Sequence, residues 1–112
     1  MTIHTEGTRA GQVLVSEANG KLSREAITLT GGSYPAGQVL AKLANGKYTA
    51  YDAEGTAPED TAVAVLFAPV DASTADASGI AIARLAEVDA SLLVDADADA
   101  LDDLATKHII AR

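Results

Sequence analysis

Ala36-Gly37-Gln38-Val39-Leu40-Ala41-Lys42-Leu43-Ala44-Asn45-Gly46-Lys47-Tyr48-Thr49-Ala50-Tyr51-Asp52 reads as a strand, a turn and a second strand. Asn-Gly tolerates the positive φ angles that tight hairpin turns demand. Tyr48 and Thr49 suit a pleated surface. The first part of this stretch has a near copy upstream. Gly11-Gln12-Val13-Leu14-Val15-Ser16-Glu17-Ala18-Asn19-Gly20-Lys21 matches Gly37–Lys47 at eight of eleven positions, at an offset of 26. The pair is either two similar hairpins shaped by common turn chemistry or a duplication, and two copies are too few for a solenoid or propeller.

Outward from the hairpin, the β signature continues. Leu22–Thr30 alternates, with Ile27 and Leu29 between polar neighbours, as a half-buried strand does. Gly31-Gly32-Ser33-Tyr34-Pro35 breaks it, which marks 1–30 as an N-terminal arm and 31–112 as the compact body. Glu54–Asp60 is a polar loop. Thr61-Ala62-Val63-Ala64-Val65-Leu66-Phe67-Ala68 is nearly all apolar, as expected of a buried central strand, and Pro69 ends its ladder. Ile80, Ile82, Arg84, Ala86 and Val88 share one face of a further strand, with Ala81, Ala83, Leu85 and Glu87 on the other. Ser91–Val94 and His108–Arg112 are candidate short strands. One helix is predicted near the C-terminus. Asp97 or Asp99 caps it, Leu101, Leu104 and His108 follow at helical spacing, and Lys107 sits in its last turn. The fold class is therefore mainly β, a small α+β domain with one short C-terminal helix and a flexible N-terminal arm.

Composition sets the limits. Among 112 residues 48% are apolar, but 24 of these are Ala, and Val, Ile, Leu and Phe together number only 26. Alanine buries little area, so the private core is thin and oligomerisation is the expected source of extra burial. With no Cys there is neither a disulfide framework nor a thiolate metal site. No basic start followed by an apolar stretch marks a signal peptide, and no run is long enough to span a bilayer, so synthesis in a cytoplasm is expected. Net charge is −8, split as +1 over residues 1–52 and −9 over 53–112. Without clustered cations to displace counterions from phosphates, direct binding of nucleic acid or an anionic membrane is not expected.

No residues form a recognisable catalytic set. Asp95, Asp97 and Asp99 have the spacing of a calcium loop, but Ala100 and Thr106 stand where an EF-hand wants Gly and Glu. The alternative is an acidic helix N-terminus. His4 and His108 have no partner at zinc-ligand spacing. The serines lie in no G-x-S-x-G elbow, and the glycines form no phosphate-binding run. Paired carboxylates such as Glu59-Asp60 and Asp102-Asp103 read as a solvated face. The expectation is a protein that is not an enzyme and needs no cofactor or metal.

Several of these segments together resemble the head decoration protein family of lambda-like tailed phages. Ala36–Leu40, Gly46–Asp52 and Thr61–Leu66 carry the likeness in the body. Leu22–Leu29 resembles the family's S-R-E-x-x-T-L segment, and Arg84–Val88 and Ile109–Arg112 follow suit. Ala64 departs from the pattern, since many members have Gly there. The resemblance implies a small β-rich fold assembled as homotrimers. Such trimers sit outside an expanded head at threefold and quasi-threefold positions, with an N-terminal segment that is mobile when free and ordered against the major capsid protein.

On that reading the arm residues Arg9, Val13, Leu14, Val15, Ser23, Arg24, Glu25, Ile27 and Leu29 bind the shell by strand addition. Arg9, Lys21 and Arg24 face acidic shell groups while the acidic half points outward. Tyr51, Val63, Val65 and Phe67 are the candidate trimer contacts, chosen on apolarity. The competing readings are a calcium- or sugar-binding module using Asp95–Asp99, a carrier domain modified at Lys42, and a small hydrolase.

Overall fold

A computed structural model describes residues 14–17, 23–52, 54–55 and 59–112. Among the described residues ten strands, one 3-10 turn and one α-helix follow in chain order: β1 (Leu14–Glu17), β2 (Arg24–Leu29), β3 (Ser33–Tyr34), β4 (Val39–Lys42), β5 (Tyr48–Ala50), β6 (Ala64–Leu66), β7 (Val70–Asp71), β8 (Ala77–Ile82), β9 (Ala86–Val88), the turn Ala90–Leu92, α1 (Ala98–Thr106) and β10 (Ile109–Ala111). This is the β-rich architecture with a single short helix that the sequence predicts.

The predicted hairpin is β4–β5, with Leu40 opposite Ala50 and Lys42 opposite Tyr48. Its loop is three residues long, closed by the Leu43 amide donating to the Lys47 carbonyl at 2.7 Å and the Gly46 amide donating to the Leu43 carbonyl at 3.0 Å. Gly46 alone takes the left-handed conformation, at φ +86°. That is the geometry of a type I turn ending in a left-handed residue, so the glycine of Asn-Gly is what the loop requires.

The hairpin belongs to a closed five-stranded barrel in the order β2-β5-β4-β6-β8. Closure explains why β4 and β6 read as continuous apolar runs. Leu40, Ala64, Leu66 and Ala81 join Ile27 and Leu29 in one buried cluster, whereas their neighbours Val39, Val65 and Ile82 join a second. Successive strand residues face opposite sides, so these strands are covered on both. A five-stranded barrel is narrow, and its interior takes a mixture of large and small residues. Gly79 shows the tightness: a Cβ there would lie 2.7 Å from Leu29 Cδ1 and 2.9 Å from Val70 Cγ2. Each fully buried Leu or Ile stabilises the fold by roughly 1.5–3 kcal/mol.

The second cluster lies between the barrel wall, α1 and a three-stranded sheet ordered β1-β9-β10. β9 runs antiparallel to β1 and parallel to β10. Leu104 of α1 and Ile109 of β10 close this layer from outside. Asp97 caps α1, its Oδ1 accepting from the Ala100 amide at 2.8 Å.

Three details differ from the sequence reading. First, the Gly31–Pro35 break is not where the folded body begins. β2 pairs with β8 over six residues, from Arg24–Ile82 to Leu29–Ala77, so residues 24–29 are a barrel strand, and Gly31–Gly32 form a bend leading to the small β3–β7 pair. Second, Ile80–Val88 is two strands, because Leu85 turns the chain at φ +53°. Ser23 Oγ donates to the Leu85 carbonyl at 2.9 Å across this corner. Ile80 is 39% exposed although Ile82, on the same face of β8, is buried. Third, Ser91–Val94 is not a strand: residues 90–92 form a 3-10 turn, and Val94 makes a single parallel bridge to Gln38. The two copies of the repeat also fold differently, since β1 and β2 enter different sheets whereas β4 and β5 are hairpin partners.

Candidate functional site

Among the described residues three surface regions gather side chains capable of recognition. On the outer wall of the barrel, Arg24 lies against Phe67, its guanidinium carbon 4.2 Å from the ring centroid. Ala26 and Ile80 are direct cross-strand partners beside them. With Glu25 these residues line a mostly apolar cleft of about 340 Å³. Both Ala26 and Ile80 are exposed, so the barrel offers an apolar patch here under a cation stacked on an aromatic ring.

A second cleft, of about 420 Å³, opens between the barrel and the C-terminal end of α1. Lys42, Arg84, Lys107 and His108 line it, with Glu25, Tyr48 and Val63. Arg84 is paired with Glu25 at 3.2 Å, and the Lys42 ammonium stands 5.9 Å from the Tyr48 ring centroid. Burial raises the Tyr48 phenol above its ordinary value, Glu25 adds to the rise, and Arg84 opposes it.

The third region is acidic and lies at the other end of α1. A cleft of about 670 Å³ is lined by Thr49–Asp52, Glu54, Glu59 and Asp95–Asp97. Tyr51 donates its hydroxyl to Asp97 Oδ1 at 3.0 Å. Burial pushes the Tyr51 phenol up to about 12, reinforced by the bond to Asp97 and the nearby Asp99 and Asp103 charges. The Asp95–Asp99 spacing does not make a cation cage. Asp95 Oδ2 accepts from Gln38 Nε2 at 2.8 Å, and Asp97 serves the helix cap and Tyr51. Among the described residues no three or more His, Asp or Glu side chains converge so as to hold a metal ion.

The predicted site residues scatter across these regions and the core. Arg9 and Val13 lie outside the described residues. Leu14 packs against the second cluster, while Val15, at the register shift between Leu14 and Ser16, is 54% exposed. Ser23, Ile27 and Leu29 are buried, and Arg24 and Glu25 reach the surface. Of the suggested trimer contacts, Val65 is wholly buried, since both faces of β6 are covered, and Tyr51 is nearly so. Val63 and Phe67 are half-buried. The fold thus unites Arg24 and Glu25, predicted for one surface, with Phe67, predicted for another. Sequence reasoning missed the exposure of Ile80, Leu85 and Ile110, because each sits in an alternating pattern whose inward face was not readable. It also missed the cationic cleft, whose residues are dispersed from Lys42 to His108.

Residues 3–109 match the family model of bacteriophage lambda head decoration protein D, nearly the whole chain. The chain belongs to this family. Head decoration proteins are structural components of the phage capsid and not a class of enzymes, which places this chain in the virion capsid. The surfaces above are accordingly those of an assembling protein. No curated protein and no solved structure matches the chain.

Proposed function

We propose that the protein binds the outside of the expanded phage head as homotrimers at threefold and quasi-threefold sites. There it clamps neighbouring subunits of the major capsid protein against the pressure of packaged DNA. The observation that carries this reading is the placement of β1. The barrel is closed and offers no edge. Among the described residues β1, directly after residues 1–13, is an edge strand of the three-stranded sheet, paired with β9 on one side, and Val15 is exposed on it. An edge strand exposes unpaired amides and carbonyls, and strand addition by a partner satisfies them. Three such arms on one trimer combine weak contacts through effective concentration. The protein then acts in the virion, on its outer capsid surface, after assembly in the host cytoplasm.

The arm is residues 1–22 on this reading, because β2 is part of the barrel. Deleting residues 1–17, which removes β1 with the segment before it, is therefore the informative truncation, whereas removal of 1–30 would take Leu29 from the core. The shortened protein should stay folded, at a melting temperature lowered by the lost Leu14 contact, and keep its solution mass while losing retention on expanded shells in co-sedimentation. Undiminished binding by the truncated protein would sink the arm mechanism.

A further inference from the structure

We infer that the cationic cleft at the C-terminal end of α1 is the seat for a second copy of this chain, which enters it with the acidic cleft from the N-terminal end of α1. The inference rests on the trimer reading and names the two surfaces that would meet. A threefold ring cannot be built from a patch that meets itself; it needs two different, complementary patches on every subunit. The chain supplies such a pair. Net charge is −8, with only eight Lys and Arg in the chain, yet three of these cations and His108 converge on one cleft. Among the described residues neither Lys42 nor Lys107 has an ion-pair partner, and both are exposed. Opposite them in charge, Asp52, Glu54, Glu59, Asp95 and Asp97 line the cleft at the far end of the helix. Glu54 and Glu59 likewise have no ion-pair partner among the described residues.

The arrangement also separates the two patches. α1 has nine residues, so it is roughly 13 Å long, more than the Debye length of about 8 Å at physiological ionic strength. Within one subunit the two charged groups scarcely screen each other, and each is left to a partner. A shell segment rich in carboxylates is the other occupant the cationic cleft could take, and the test separates it from a second copy.

The test is solution mass by light scattering coupled to size exclusion, on four forms of the full chain. The unmodified protein should have the mass of three chains. Lys42→Glu with Lys107→Glu should reduce it to one chain, and Glu54→Lys with Glu59→Lys should do the same. Combining all four reversals should restore three chains, because the complementarity is re-created with the signs exchanged. Thermal melting confirms that each form is folded. Should a reversal prove unfolded, Lys42→Gln with Lys107→Gln should raise the dissociation constant of the trimer at least tenfold. A trimer that survives either reversal, or folded quadruple variants that stay monomeric, overturn the inference and leave the trimer reading standing. An unmodified chain that is monomeric at every concentration overturns both.

Discussion

The guanidinium of Arg24 on β2 stacks on the ring of Phe67, just past the end of β6, and so bridges two strands that both pair with β8. β2 and β6 flank β8, and the stack spans its outer face where Ile80 emerges. A cation over an aromatic face is worth about 0.5–1 kcal/mol at an exposed site. The Phe67 ring also packs against the second core cluster.

The two partners should therefore respond unequally to truncation. Arg24→Ala is expected to lower stability by about 1 kcal/mol or less. Phe67→Ala should cost about 2 kcal/mol, below the value for a fully buried Phe. Urea unfolding curves give both numbers, and a larger loss for Arg24→Ala would contradict the packing described.

Asp97 joins the helix to the hairpin, accepting from the Ala100 amide and from the Tyr51 hydroxyl on one oxygen. Asp97→Ala should cost about 1 kcal/mol for the cap alone, with a further loss from the buried hydroxyl left without an acceptor. Asp97→Asn, which keeps an oxygen in place, should recover most of it. Equal melting temperatures for the two variants would show that the cap contributes nothing.

Alkaline stability should turn on Tyr51. Its phenol is pushed up to about 12 in the fold, against about 10 when unfolded. Between these values the unfolded chain has lost the proton and the native chain still holds it. The stabilisation is thus complete below pH 10 and disappears as pH rises towards 12. Tyrosinate absorbance should show a last-titrating phenol that Tyr51→Phe removes; a last phase unchanged in Tyr51→Phe would refute the assignment.

Gly37 should resist any side chain. It adopts φ +90°, and a Cβ there would stand 2.4 Å from the Leu92 carbonyl oxygen. Its amide donates to the Leu66 carbonyl at 2.8 Å and its carbonyl accepts from the Val94 amide at 2.9 Å, so the backbone cannot move away. Gly37→Ala should cost more than about 1 kcal/mol, whereas Gly46→Ala, with open space around it, should pay only for its φ. A melting-temperature drop no larger at Gly37 than at Gly46 would count against this account.

The sequence by itself determined the β-rich class, the hairpin, the single helix and the family. Asn45-Gly46 between Leu40–Lys42 and Tyr48–Ala50 specified the hairpin because only local turn chemistry was needed. The apolar run through Ala64–Leu66 announced burial, and Asp97 or Asp99 announced the start of α1, again from short-range signals; the structure chose Asp97. Only the tertiary structure decided how far along β8 the outer face is covered, so Ile80 is exposed where Ile82, on the same face, is not. It also made β2 a barrel strand and not the end of an arm, by closing Arg24–Leu29 onto β8. Leu85 at positive φ was invisible as well, since the corner depends on Ser23, which is 62 residues away in the chain. The same reason hid the recognition surfaces. Lys42, Arg84, Lys107 and His108 meet only because barrel closure and the packing of α1 bring distant segments together. Periodicity reports how one segment lies against a core, and it contains no information about which other segment completes a surface.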